Sequence, residues 1–216
     1  MTDGWEHSVE GRSVLWRLLD GHGMDWCSLH RNGDGWGMFG RAVLTFDGVP
    51  GSVQYGVLCD AAWRTHTVTV NCTDGLRDRH LSLRRGENGW RVMNQPCADL
   101  DGCVDVDLES SAMTNTVPVH RLALSTGESA QAPATYVRAV DLHVERLDQR
   151  YARTGDEGPR QRYDYTAPAF DFSCRLVYDE SGLVLAYPGI AQRAWHPRTH
   201  ANCTPISDRS MPPGTL

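Results

Sequence analysis

The sequence predicts a mainly β, antiparallel fold with very little helix. Three observations predict it. Short apolar or alternating segments recur along most of the chain. Turn dipeptides separate many of them: Asn32-Gly33, Asp47-Gly48, Asp74-Gly75, Asn88-Gly89, Asp101-Gly102 and Ser181-Gly182. Such pairs supply the positive φ of tight hairpins. Helical periodicity is nearly absent between them, which points away from βαβ units and a parallel sheet.

Taken in order, strands are expected at Ser13–Leu19, Met24–His30, Met38–Phe46, Val53–Cys59, Thr65–Cys72, Leu81–Arg85 and Gly89–Met93. Eight more are expected at Cys103–Leu108, Val119–Ser125, Thr135–Val140, Leu142–Arg150, Gln161–Thr166, Phe170–Tyr178, Leu183–Tyr187 and Ile190–Ala194. That makes about fifteen strands. The one place for a short helix is Met113–Arg121, where Thr114-Asn115 can cap it and Pro118 limits its length. In Thr65–Val70, Thr65, Thr67 and Thr69 alternate with His66, Val68 and Val70, so one face is hydroxyl-lined and the other more apolar. In the Leu142 segment, His143, Glu145, Leu147 and Gln149 share one face, which is only partly apolar. From about His196 the chain turns polar, with Pro197, Pro205, Pro212 and Pro213. A single domain over residues 1–195 and a flexible tail over 196–216 are expected.

Composition removes several functions. The 216 residues include no lysine; all 21 basic residues of the Lys+Arg count are arginine. A P-loop or kinase lysine, a Schiff base and a Ser–Lys pair are therefore excluded. The net charge of −6 argues against nucleic-acid binding. No apolar run is long enough to span a bilayer, and the acidic, polar start MTDGWEHSVEGRSV is not a secretory signal. A cytoplasmic location is expected. The seven cysteines are scattered and odd in number, which fits buried thiols better than disulfides.

The motifs are few. Gly35-x-Gly37-x-x-Gly40 matches a dinucleotide fingerprint in letters, but strand-like residues come after it where a helix is needed. Glycines that thin or bulge a strand are the better expectation. His196, His200 and Cys203 have zinc-like spacing only if helical, and Pro197 opposes a helix. No metal or cofactor is expected. The richest segment is CADLDGCVDVDLESSAMTNTVPVHRL, from Cys97 to Leu122. Within it Asp105 and Asp107 sit at i and i+2 of a strand, on one face, with backbones about 7 Å apart. Two such carboxylates can bond a ligand, pair with Arg121, or form the acid–base pair of a glycosidase.

That segment, together with CDAAWRT (Cys59–Thr65), LDQRYAR (Leu147–Arg153) and LVYDESGLVLAYPGIAQR (Leu176–Arg193), resembles a bacterial family of putative glycolipid-binding proteins. The likeness covers about residues 11–193. Where the family often has Thr-Pro before its Thr-Asn-Thr, this chain has Ser111-Ala112-Met113. The resemblance implies a spiral β-roll, an antiparallel sheet curled around one short helix. It also implies an amphiphile ligand. The expected function is therefore non-catalytic binding of a glycolipid or similar amphiphile, its acyl part in an apolar interior. Asp105, Asp107, Asn115 and Gln149 are expected to bond sugar hydroxyls, and Arg64 or Arg121 an anionic head group. Trp63, Trp90, Tyr151 and Tyr187 are expected to stack on the ligand. Two alternatives stand beside this: a glycoside-acting enzyme using Asp105 and Asp107, and a homodimer without a small ligand.

Overall fold

The computed structural model describes residues 11–19, 23–46, 48–75 and 77–195. The expected tail, 196–216, and its His196, His200 and Cys203 lie outside these residues. The first run of strands is a meander of eight: β1 (Arg12–Leu18), β2 (Gly23–Asn32), β3 (Gly35–Phe46), β4 (Val49–Cys59), β5 (Thr65–Thr73), β6 (Asp78–Gly86), β7 (Gly89–Val92) and β8 (Gln95–Pro96). Then come β9 (Asp105–Leu108), a 3-10 turn at Ala112–Asn115, helix α1 (Thr116–Leu122), β10 (Ser129–Gln131), β11 (Ala134–Val137) and β12 (Val144–Leu147). The last are β13 (Arg150–Arg153), β14 (Gln161–Ala167), a 3-10 turn at Pro168–Phe170, β15 (Phe172–Tyr178), β16 (Val184–Tyr187) and β17 (Ala191–Trp195).

Fourteen strands form one antiparallel sheet in the order β10-β13-β14-β15-β16-β17-β1-β2-β3-β4-β5-β6-β7-β8. The two meanders join where β1 pairs with β17, Trp16 opposite Arg193. The end strands β10 and β8 do not pair with each other, so the sheet forms no closed barrel. A second sheet has the order β12-β11-β9.

The space beneath the long sheet is filled. Trp16, Trp36, Trp90, Tyr151, Tyr163 and Tyr178 are buried there, and so are Thr116, Val117, Pro118 and Val119 of α1. Several of these aromatics have their polar ends bonded, as burial demands. Trp16 Nε1 donates to the Val184 carbonyl at 2.9 Å and Trp90 Nε1 to the Cys103 carbonyl at 2.9 Å. Two tyrosines clamp the residue that opens α1. Tyr151 Oη of β13 donates to Asn115 Oδ1 at 2.8 Å, and Tyr178 Oη of β15 to the Asn115 carbonyl at 3.2 Å. From the other meander, Tyr55 Oη of β4 meets Ser111 Oγ at 2.7 Å. The sheet thus wraps the helical segment from both sides.

The structure departs from the expected elements in four places. Val119–Ser125, expected as strand, is helical to Leu122. Pro118 sits in the first turn, where its missing N–H is not needed, and burial of Val117 and Val119 outweighs their β preference. Leu142–Arg150 breaks into β12 and the start of β13, which belong to different sheets. β8 and β10 have no expected counterpart. Finally, β9 pairs with β11 in parallel, Asp107 opposite Tyr136, and α1 lies in the connection.

Candidate functional site

A pocket of about 360 Å³ opens between the small sheet and the β14–β16 part of the long sheet. Its apolar wall is aromatic: Tyr136 from β11, Tyr165 from β14, Phe170 from the second 3-10 turn, Phe172 from β15 and Tyr187 from β16. Tyr165, Phe172 and Tyr187 meet edge to face, with centroids 5.8–6.2 Å apart. Tyr136 and Phe170 form a tilted pair at 5.3 Å. Offset and edge contacts of this kind are favourable arrangements of ring quadrupoles. Leu108, Leu147, Ala167 and Ile190 complete the apolar surface.

The polar lining comes from β9 and the segment that leads into α1, Asp107, Glu109, Ser111 and Asn115, with Arg138 next to Glu109. Asp107 is 9% exposed. Thr114 Oγ1 donates to its Oδ1 at 3.0 Å, and Gln149 Nε2 to its Oδ2 at 2.5 Å. Gln149 Nε2 also reaches Tyr165 Oη at 3.0 Å. Burial pushes the Asp107 carboxyl up to about 6. The hydrogen bonds from Thr114 and Gln149 oppose that rise, while the charges of Asp105 and Glu109 add to it. Glu109 Oε2 accepts from the Ala139 amide at 2.7 Å. Arg138 is paired with Glu145, Nη2 to Oε1 at 2.8 Å.

Local sequence explains these positions. Leu147, Gln149 and Tyr151 are buried in alternation, which turns Gln149 inward beside Asp107. Asp105 and Asp107 do share a face, as their i, i+2 spacing predicts, and both carboxylates bond the helical segment next in the chain.

Of the ten residues expected to contact ligand, Asp107, Asn115 and Tyr187 line this pocket. Gln149 stands behind it, holding Asp107. Tyr151 is spent on clamping Asn115. Asp105, 1% exposed, has both oxygens taken by Arg121, Nε to Oδ1 at 2.8 Å and Nη2 to Oδ2 at 2.6 Å. That bond commits Arg121 as well. Trp90 is buried and bonded to the Cys103 carbonyl. Trp63 is stacked between Trp36 at 4.7 Å and His120 at 4.0 Å. Arg64 lies on the surface and pairs with Asp60, which also caps the Ala62 and Arg64 amides of the same turn.

Several residues of the site escape a sequence reading: Tyr136, Tyr165, Phe170, Phe172, Glu109 and Arg138. One signal for the aromatics was present, in the Tyr163-x-Tyr165 and Phe170-x-Phe172 alternations. Asp25 also escapes. Its position on the buried face of β2, in register with Cys27 and Leu29, is the visible sign. Ser111 Oγ donates to Asp25 Oδ2 at 2.6 Å and Tyr55 Oη to Oδ1 at 3.0 Å. Burial pushes the Asp25 carboxyl up to about 7 against those two bonds. Ser111 thus joins this buried cluster to the pocket wall.

A filled, open β-roll with an aromatic pocket on one flank is the class of protein that this fold and site define. The chain belongs to the family described as putative glycolipid-binding, whose model matches residues 13–193. It is similar to a DUF1089 family protein from Pseudomonas aeruginosa known from a crystal structure. The two are 30% identical with a TM-score of 0.67, over 78% of this chain and 91% of that one. No curated protein matches the chain. Among the described residues, no helix is long and apolar enough to cross a membrane, and no group of His, Cys, Asp and Glu is placed to hold a metal ion.

Proposed function

We propose that this chain is a non-catalytic binding protein that takes the sugar-bearing end of a glycolipid or related amphiphile in the aromatic pocket. The observation that carries this is a cavity of about 360 Å³ lined by five aromatic rings together with the carboxylates of Asp107 and Glu109. Ring faces suit the C–H faces of a sugar, while Asp107 and the Asn115 amide serve its hydroxyls. The volume is near the small end for ligand pockets, which fits a head group better than a whole lipid. The expected acyl site beneath the sheet is occupied by α1 and the core aromatics. The alkyl chain is therefore assigned to the rim, along Ile190 and the exposed Phe170. Arg121 removes Asp105 from acid–base work, so binding is favoured over glycoside chemistry by the Asp105 and Asp107 pair. Free thiols at Cys27, Cys59, Cys72, Cys97, Cys103 and Cys174 fit a reducing compartment and support a cytoplasmic assignment.

Titration calorimetry with octyl β-glucoside below its micelle concentration tests this. Saturable one-to-one binding is expected, weakened about tenfold or more in Tyr187→Ala and Phe172→Ala. Absence of saturable heat together with absence of an adduct in native mass spectrometry contradicts it.

A further inference from the structure

We infer that the head group this pocket selects carries an ammonium nitrogen, seated between Asp107 and the aromatic wall. The inference rests on the pocket being the ligand site.

The charge balance of the pocket is negative. The charged side chains lining it are Asp107, Glu109 and Arg138. Arg138 is already tied to Glu145, and the half-buried Arg121 is tied to Asp105 through both oxygens. Asp107 is held by two neutral donors, a hydroxyl and an amide. It forms no ion pair among the described residues. A buried carboxylate held only by neutral groups leaves much of its desolvation cost uncompensated, and a cation beside it removes that cost.

The walls supply a second, independent reason. A ring face carries the negative end of the quadrupole and attracts cations, most strongly where water is excluded. Tyr136, Tyr165, Phe170, Phe172 and Tyr187 surround one cavity with such rings. After burial, the charge of Asp107 contributes to pushing the phenols of Tyr136, Tyr165 and Tyr187 upward, with the Glu109 charge the larger contribution at Tyr136. An anionic head group meets repulsion from Asp107 and Glu109. Neither arginine expected to receive such a group lies in the pocket. Two sources share the favoured chemistry, an amino sugar and a quaternary amine.

Three probes with the same alkyl chain separate the possibilities at pH 7 and low salt: octyl β-glucoside, its 2-amino-2-deoxy counterpart and octyltrimethylammonium. The ammonium probes are expected to bind about tenfold more tightly than the neutral glucoside. Tight binding of the amino sugar alone assigns that source, and tight binding of both assigns any ammonium. The preference is expected to fall to about unity in Asp107→Asn. Phe170→Ala, at the exposed rim, is expected to weaken both ammonium probes and provides a variant that leaves the buried network intact. Equal affinity for all three probes overturns the inference and leaves the pocket as the ligand site. A preference unchanged in both variants also overturns it. Binding of no probe overturns the inference and the ligand-site reading together.

Discussion

At the scale of single residues, burial decides what each charged group can do. Arg121 neutralises Asp105 from inside the fold, whereas the Arg64–Asp60 pair lies in water, with the Arg64 side chain 56% exposed. Arg121→Ala is therefore expected to cost about 3–5 kcal/mol, because it strands a buried carboxylate. Arg64→Ala is expected to cost less than about 1 kcal/mol. Urea denaturation of the two variants checks the contrast, and comparable losses would refute it. Asp25 gives a pH prediction with a definite sign. Its carboxyl is pushed up to about 7 in the fold from an ordinary 3.8, so the folded state holds the proton across that window. Its contribution to stability is present below the lower value and is lost as pH rises through the upper one. Asp25→Asn should thus gain on the native chain between pH 4 and 8, by up to about 4 kcal/mol. His120 works in the opposite direction, since burial lowers it to about 4. The comparison between variant and native chain cancels that contribution; parallel pH profiles would count against the account. These roles were only partly legible. Same-face placement of Asp105 and Asp107 comes from strand period. Which carboxylate meets Arg121 depends on where α1 returns, and no local pattern encodes that.

At the scale of elements, glycine placement and strand register carry the information. Gly35, Gly37 and Gly40 lie in β3, where side chains would collide with neighbours. A Cβ at Gly35 would fall 2.1 Å from the Cys59 carbonyl oxygen, and one at Gly40 would fall 2.3 Å from the Tyr55 ring and hydroxyl. The glycines that match a dinucleotide fingerprint in letters are close-packing positions of a strand. Gly40→Ala is expected to destabilise by about 1–3 kcal/mol and to disturb the Tyr55 bond to Asp25. A thermal melt indistinguishable from the native chain would contradict this. Register explains one sequence expectation that failed in detail. Val68 and Val70 are buried as the alternation predicts, yet Thr65 is buried too. The ladder shifts between Leu58 and Cys59, so that Cys59 faces Thr65 and His66 is left over. Bulges of this kind have no composition signal here. The turn glycines do, and strand positions over the first seven strands were readable for that reason.

At the scale of the whole molecule, the roll separates its packed interior from the aromatic pocket. Its interior is solid with tryptophan, tyrosine and α1. The aromatic pocket forms where β9 and β11 approach β14–β16, segments far apart in the sequence. Tyr136 and Phe172 could not be grouped from local pattern for that reason, whereas Asp107, Asn115 and Tyr187 fell within recognisable motifs. The sheet ends are blunt. β8 is two residues long and ends in Pro96, and β10 is three residues long, so neither end of the long sheet offers an extended edge. An exposed apolar group on β2 and β3, Met24, Trp26, Phe39 and Val43, lies on a different part of the sheet from the pocket. That separation makes the central claim directly testable. Residue-resolved NMR titration with octyl β-glucoside is predicted to shift amides around Asp107, Glu109, Arg138, Phe170 and Tyr187, with the β2 and β3 amides unchanged. Shifts confined to the Trp26 and Phe39 surface, or none anywhere, would contradict the assignment of the pocket.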